Sequence, residues 1–186
     1  MKLRVDELRM GKIIWDILFM DDYLTKDGKE DRRIKNSPHF KLLRSYERNP
    51  HLDLRRTDYY RFARERQHYF GTWFGRKEKE GILQQMRGFL ALYERIRREG
   101  FDYGKGRIVV YRATAHARRR DSLGRPHPPT PTYTPTGYEI YEGHHRAAIL
   151  AKLGYHSIEV DLLSPWILVK NWFKKHLTRR FSSLSR

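Results

Sequence analysis

The sequence predicts an α+β fold in which a small mixed sheet is elaborated by a helical N-terminal half and a C-terminal helix. Apolar residues recur at helical spacing in the first hundred residues, and three short β-branched or aromatic segments follow between 107 and 163. The 186 residues are expected to form one domain. Within it, 1–100 is mainly helical, 101–163 is a strand–helix–strand core with a basic loop at 112–137, and 164–186 is a helix and tail.

Three helices are predicted before residue 101. Ser37 is placed as an N-cap with Pro38 at the first helical position, and Thr57 caps a second helix. The clearest helix is "RKEKEGILQQMRGFLALYERIRREG", which ends at Gly100. Its apolar residues recur at spacings of four and three and are expected to pack in the core: Ile82, Met86, Phe89, Tyr93 and Ile96.

Three strands are predicted in the second half of the chain. They are "RIVVY" at 107–111, "YEIY" at 138–141 and "SIEVDLL" at 157–163. In the third, Ile158, Val160 and Leu162 alternate and are expected to share one face. The long segment between the first two strands is rich in Arg, Pro and Thr, which is typical of a functional or disordered loop.

The charge balance of 39 Lys and Arg against 22 Asp and Glu, a net charge of +17, is the strongest global property of the chain. Such a charge attracts nucleic acid, acidic lipid surfaces or phosphorylated small molecules, and it also serves solubility. The absence of cysteine excludes disulfides and thiolate chemistry. No secretory signal and no apolar run near the roughly 18 residues of a membrane span is present, so a cytoplasmic protein is expected.

The segment "YEGHHRAAILAKLGY", 141–155, carries the densest set of chemical groups. It predicts a tight turn at Gly143 that lets a ligand approach the backbone, followed by a helix whose free N–H groups suit an anion such as phosphate. Arg146 can clamp the anion, and His144 and His145 can add donors of tunable charge. Glu142 is a candidate base for a hydroxyl nucleophile, or a Mg²⁺ ligand.

A second interpretation of the histidine pair stays open. Adjacent residues on a helix point about 100° apart, so one histidine can face inward or cap the helix. A metal site built from His116, His127, His144 and His145 has no supporting ligand spacing, and no metal centre is predicted.

The segment "YEIYEGHHRAAILAKLGYHSIEVDLL" resembles the signature of the ParB/sulfiredoxin superfamily, which is a strand, an (D/E)GxHR turn, an Ala-rich helix, a Gly and a strand. The match covers Gly137 to Leu163. In that superfamily the turn holds the phosphates of a nucleotide, which implies phosphate binding by Gly143, His144, His145 and Arg146. Glu142 falls on the acidic position before the glycine.

The resemblance also implies a range of activities. Superfamily members include CTP-dependent DNA-partition clamps, ATP-dependent sulfiredoxins and small-molecule kinases. Sulfiredoxins carry a cysteine in the turn, which this chain lacks, and partition proteins carry a "GERR"-like turn where this chain has "GHHR". Partition proteins also have a helix-turn-helix domain after the signature, whereas 23 residues follow Leu163 here. The segment "NSPHFKLL" is a candidate counterpart of the superfamily's N-terminal loop and would bring Ser37 and His39 to the site.

The leading hypothesis is therefore a nucleotide-binding phosphotransferase that acts on a small molecule or glycan precursor, with ATP or another nucleoside triphosphate and Mg²⁺. Glu142 and His144 are its candidate catalytic residues. The rivals are a nucleic-acid-binding protein and a membrane-peripheral accessory protein of envelope-polymer synthesis. The latter would use the basic amphipathic segment from Trp166 to Phe181, although such a segment more often packs on its own domain.

Overall fold

The computed structural model describes residues 1–10, 33–72, 75, 78–112 and 137–163. It confirms a mixed α+β fold. The four α-helices among these residues are α1 (Pro38–Arg48), α2 (Asp58–Phe70), α3 (Lys79–Glu99) and α4 (His144–Lys152). The six strands are β1 (Lys2–Arg4), β2 (Leu8–Met10), β3 (Val109–Arg112), β4 (Tyr138–Glu142), β5 (Ser157–Glu159) and β6 (Asp161–Leu162).

The helix starts follow the predicted capping chemistry. The Ser37 hydroxyl accepts a hydrogen bond from the Phe40 N–H at 3.1 Å, with Pro38 at the first helical position. The Thr57 hydroxyl accepts from the Tyr60 N–H at 3.2 Å in the same way at the start of α2. Helix α3 buries all five of its predicted core residues, which confirms the helical period as the signal of its core face.

The strands form two sheets. The larger has the order β2-β4-β3-β6, in which β4 is antiparallel to β3 and the two outer pairs are parallel. Strands β1 and β5 form a separate antiparallel pair. The helices and sheets share one apolar core, which includes Leu8 and Ile140 from the sheet and Met86 and Ile149 from the helices.

The prediction of one regular strand at 157–163 was wrong. The chain pairs first with β1 and then with β3, because the Val160 N–H bonds to the Met1 carbonyl at 2.8 Å and the Asp161 N–H to the Ile108 carbonyl at 2.9 Å. Alternation ends at this change of partner. Leu162 is 57% exposed, and Leu163 is buried in its place.

Two short strands near the N-terminus, β1 and β2, were not predicted, because three-residue strands carry too little alternation to detect. No helix in the described part of the chain is long and apolar enough to cross a membrane. The predicted C-terminal helix at 164–186, the loop residues 113–136, His116 and His127 lie outside the described residues.

Candidate functional site

The turn between β4 and α4 is centred on Gly143, which has a φ of +89°. A Cβ at this position would lie 2.9 Å from the Arg107 carbonyl oxygen and 3.0 Å from the Ile108 Cα. The glycine is therefore needed for a left-handed turn and for close packing of the chain against Arg107 and Ile108. The side that a Cβ would occupy is filled by the protein's own backbone rather than left open for a ligand.

The first turn of α4 presents the donors of a helix N-terminus. The Ala147 N–H makes the first intrahelical bond, to the Gly143 carbonyl at 2.9 Å. The N–H groups of His144, His145 and Arg146 precede that bond, so no carbonyl of their own helix satisfies them. Together with the helix dipole they favour a negatively charged group at this end.

Arg146 extends from this turn towards Gly106. Its guanidinium fills the space that a side chain at position 106 would occupy, since a Cβ there would lie 2.5 Å from Cζ and 2.7 Å from Nη2. Nη1 also donates to the Arg107 carbonyl at 3.4 Å, a long hydrogen bond. Across the described ranges, Arg146 makes no ion pair with a carboxylate, so its charge is available to an anion.

A cleft of about 330 Å³ opens beside Arg146, between the C-terminal end of α3 and the segment 100–106. Three cations line it: Arg95, Lys105 and Arg146. Its two carboxylates each have a partner: Glu99 pairs with Arg98 outside the cleft at 2.5 Å, and Asp102 pairs with Lys105 inside it at 3.4 Å. The cleft lining carries three cations against these two carboxylates. The cleft therefore favours an anionic ligand.

The histidines of the turn point the other way, into a cluster with His39 of α1. The ring of His145 lies 5.0 Å from the ring of His39, and that of His144 lies 6.4 Å from it. His145 also stacks on Phe89 at 4.4 Å, and its Nε2 lies 2.7 Å from the Tyr59 hydroxyl. We call His39, Tyr59, Phe89, His144 and His145 the histidine cluster.

Burial keeps the imidazoles of the cluster neutral. It lowers the pKa of His144 to about 3 and that of His145 to about 4, and neighbouring cations act in the same direction. Burial also holds the pKa of His39 well below its ordinary value. Neutral imidazoles bring no positive charge to a phosphate at pH 7, so the charge at this turn comes from Arg146.

Two ring nitrogens of the cluster, Nδ1 of His39 and Nε2 of His144, are buried and have no hydrogen-bond partner among the described residues. The other side of the His144 ring bonds to the Ile140 backbone. Proton transfer through His144 therefore requires this cluster to open first.

The remaining predicted site residues occupy different environments. Glu142 is exposed at the end of β4, one residue before the turn. Ser37 is fully buried, and its hydroxyl both caps α1 and donates to the Ile34 carbonyl at 2.6 Å. A ligand contact from Ser37 would therefore break the cap, whereas His39 is brought directly to the histidine pair.

Several residues of the site were not identified from sequence, among them Tyr59, Arg95, Phe101 and Gly106. No local pattern marks Gly106, because its role depends on Arg146, which lies 40 positions further along the chain. Tyr59 is 86 residues from His145, and no local pattern relates them.

The described residues contain no group of three or more His, Asp or Glu side chains arranged to hold a metal ion. Comparison of the chain with protein-family models, curated proteins and solved structures finds no match.

Proposed function

We propose that the chain binds the phosphate groups of a nucleotide at the N-terminus of α4, with Arg146 as the principal cation. The observation that carries this proposal is the guanidinium of Arg146, which lies beside a cation-lined cleft and has no carboxylate partner among the described residues. The proposal agrees with the resemblance of 137–163 to the ParB/sulfiredoxin superfamily, whose phosphate-binding turn aligns with 143–146.

The physical basis is the combination of fixed donors with a fixed charge. Arg146 lies over Gly106 and against the Arg107 carbonyl, so less side-chain freedom is lost when it binds a phosphate. Each hydrogen bond from a charged donor contributes about 1.5–3 kcal/mol. The backbone N–H groups of the first turn add further donors without side-chain reorganisation.

The activity that we propose is phosphoryl transfer to a small molecule or glycan precursor. Glu142 supports it, because its exposed carboxylate precedes the phosphate-binding turn by one residue. It could accept a proton from a hydroxyl acceptor. Mg²⁺, which takes one or two carboxylates and relies on phosphate oxygens for further ligands, also fits this arrangement and would neutralise phosphate charge.

Replacement of Arg146 tests the binding proposal. Arg146→Ala is expected to weaken nucleotide binding by about tenfold or more, equivalent to about 1.4 kcal/mol or more, because charge-assisted hydrogen bonds are lost. Isothermal titration calorimetry with ATP, ADP, CTP and GTP, with and without Mg²⁺, measures the change. Arg44→Ala removes the same charge from an exposed site on α1 and should leave affinity unchanged. Equal affinities in wild type and Arg146→Ala would refute the proposal.

Replacement of Glu142 separates catalysis from binding. Glu142→Gln should keep nucleotide affinity within about an order of magnitude and suppress phosphoryl transfer or hydrolysis, because it removes a base and leaves the phosphate donors in place. Turnover of radiolabelled nucleotide measures the effect. Unchanged turnover in Glu142→Gln would rule out its role as the base.

A further inference from the structure

We infer that the cleft beside Arg146 holds the nucleoside part of the ligand, with the base against Phe101 and the phosphates towards Arg146. This inference rests on the proposed function and extends it, because it identifies which surface contacts the part of the ligand that carries no charge. It also assigns Gly106 as the residue that positions Arg146.

The cleft has apolar as well as charged lining residues. On α3, Ile96 is buried and Leu92 is half-buried, and Phe101 of the segment 100–106 is half-buried as well. The ring of Phe101 is held edge-to-face by Tyr103, with centroids 4.6 Å apart and an angle of 82° between the planes. A fixed aromatic ring favours the stacking of a planar base, which contributes about 1–3 kcal/mol in other nucleic-acid sites.

The cations lie at positions suited to a phosphate chain. Lys105 and Arg146 belong to the side formed by the segment 100–106 and the first turn of α4, and Arg95 belongs to α3. Within the part of the chain that the structure describes, Arg95 has no ion-pair partner. Arg95 and Arg146 therefore provide two guanidinium groups along one cleft that make no direct ion pair with a carboxylate of the described residues. The charge of Arg95 also acts on the nearby Glu99 carboxylate, whose pKa it helps to lower.

The size of the cleft agrees with such a ligand. Its volume of about 330 Å³ is at the lower end of the roughly 300–1,000 Å³ range of small-molecule sites. A second cleft of about 380 Å³ lies between α1 and the start of α2. Its lining charges balance, with Lys41 and Arg56 against Asp53 and Asp58, and Asp58 pairs with Lys41 at 3.5 Å. The comparison favours the cleft beside Arg146 for an anion.

Gly106 has an extended backbone, with a φ of 179°, so alanine can adopt its conformation without strain. An alanine would nevertheless clash with the guanidinium, because its Cβ would lie 2.5 Å from the Arg146 Cζ. Gly106→Ala therefore moves the guanidinium and leaves the charge of the protein unchanged. Gly88→Ala is the matched control, since a Cβ there meets nothing within 4 Å.

The test compares each nucleotide with tripolyphosphate, which carries the phosphate chain without a base. Calorimetry would be performed with ATP, CTP, GTP and UTP and with tripolyphosphate, on the full chain. In wild type, at least one nucleotide should bind about tenfold or more tightly than tripolyphosphate, as expected from one stacked base. Phe101→Ala should reduce that ratio to about twofold without changing the affinity for tripolyphosphate. Gly106→Ala should weaken both ligands, and Gly88→Ala neither.

Arg95→Gln is a further test variant. Because Arg95 is exposed, its replacement does not disturb the packing of the apolar residues that line the cleft. It should weaken both nucleotide and tripolyphosphate several-fold. The inference is overturned if wild type binds tripolyphosphate as tightly as every nucleotide, if Phe101→Ala keeps the wild-type ratio, or if Gly106→Ala and Arg95→Gln both retain wild-type affinities. In each of these cases, a loss of binding in Arg146→Ala would leave the proposed function standing. If Arg146→Ala also binds nucleotide as tightly as wild type, both the inference and the proposed function are refuted.

Discussion

Gly143 is required at the start of α4 for two reasons that act at the same backbone position. Its φ of +89° is unfavourable for a residue with a side chain. A Cβ would also lie closer than van der Waals contact to the Arg107 carbonyl oxygen, at 2.9 Å, and to the Ile108 Cα, at 3.0 Å. The turn that carries the candidate phosphate site is therefore fixed by packing against the segment before β3. This packing also sets the distance between α4 and Gly106.

Gly143→Ala should lower the free energy of unfolding by about 2–4 kcal/mol, because it combines left-handed strain with a steric clash. The control is Gly154→Ala at the other end of α4, where φ is +83° and a Cβ would meet nothing within 4 Å. It should cost only the strain, about 1–2 kcal/mol. Urea denaturation of both variants measures the difference, and equal losses would show that the close approach to Arg107 has no energetic consequence.

The histidine cluster connects all four described helices. His39 comes from α1, Tyr59 from α2, Phe89 from α3, and the histidine pair from the first turn of α4. Because the imidazoles are neutral and largely excluded from water, the position of the candidate phosphate-binding turn depends on their remaining uncharged. Besides the three imidazoles, the charged or titratable groups of the described residues that act on the cluster include Tyr59, Arg66 and Arg146.

Stability should therefore fall as the pH drops below about 6.5, the ordinary histidine value. The folded pKa values are depressed, so the unfolded chain binds more protons in this range and unfolding becomes favoured. The loss is at most about 1.4 kcal/mol for each cluster histidine and each pH unit below 6.5, and it ends for His145 near pH 4 and for His144 near pH 3. Urea denaturation at a series of pH values between 7.5 and 5 measures this slope.

His39→Phe is the matched variant, because His39 is buried among the aromatic rings of Tyr59, Phe62 and Phe89. The free energy of unfolding of His39→Phe should fall by about one third less than that of wild type between pH 7.5 and 5, because one of the three cluster histidines is removed. Identical pH profiles for the two proteins would show that His39 is protonated equally in the folded and unfolded states.

Local sequence signals predicted where the helices and strands begin and end. Contacts between residues distant in sequence determine how the strands pair and which side chains meet. Ser37, Thr57 and Gly100 mark helix ends through interactions within a few residues, so sequence was sufficient there. The partner change at Val160 depends on Met1 and Ile108, and the cluster joins His39 to residues more than a hundred positions away. The turn at Gly143 was predicted from a local signal, the glycine between a strand and a helix. The inward direction of both histidines could not be predicted in this way, because it depends on aromatic rings on other helices.

The charge of the whole molecule supports a rival function, which is nucleic-acid binding. Duplex DNA is expected to bind at low salt through phosphate contacts that weaken steeply as salt is raised. Nucleotide binding at Arg146 should persist at physiological salt, because it uses directional hydrogen bonds in a cleft. Competition between a fluorescent nucleotide and a random-sequence duplex at physiological salt measures this. Tight duplex binding there, with no nucleotide binding, would favour the rival.

A titration of the ¹⁵N-labelled full chain with the tightest-binding nucleotide, followed by NMR, tests directly whether the first turn of α4 is a phosphate site. If phosphates bind the first turn of α4 beside Arg146, as proposed, the amide signals of His144, His145, Arg146 and Ala147 should shift and saturate together with that of Gly106. Saturable shifts confined to other parts of the chain, or no shifts with any nucleotide, would contradict the assignment of this turn as the phosphate site.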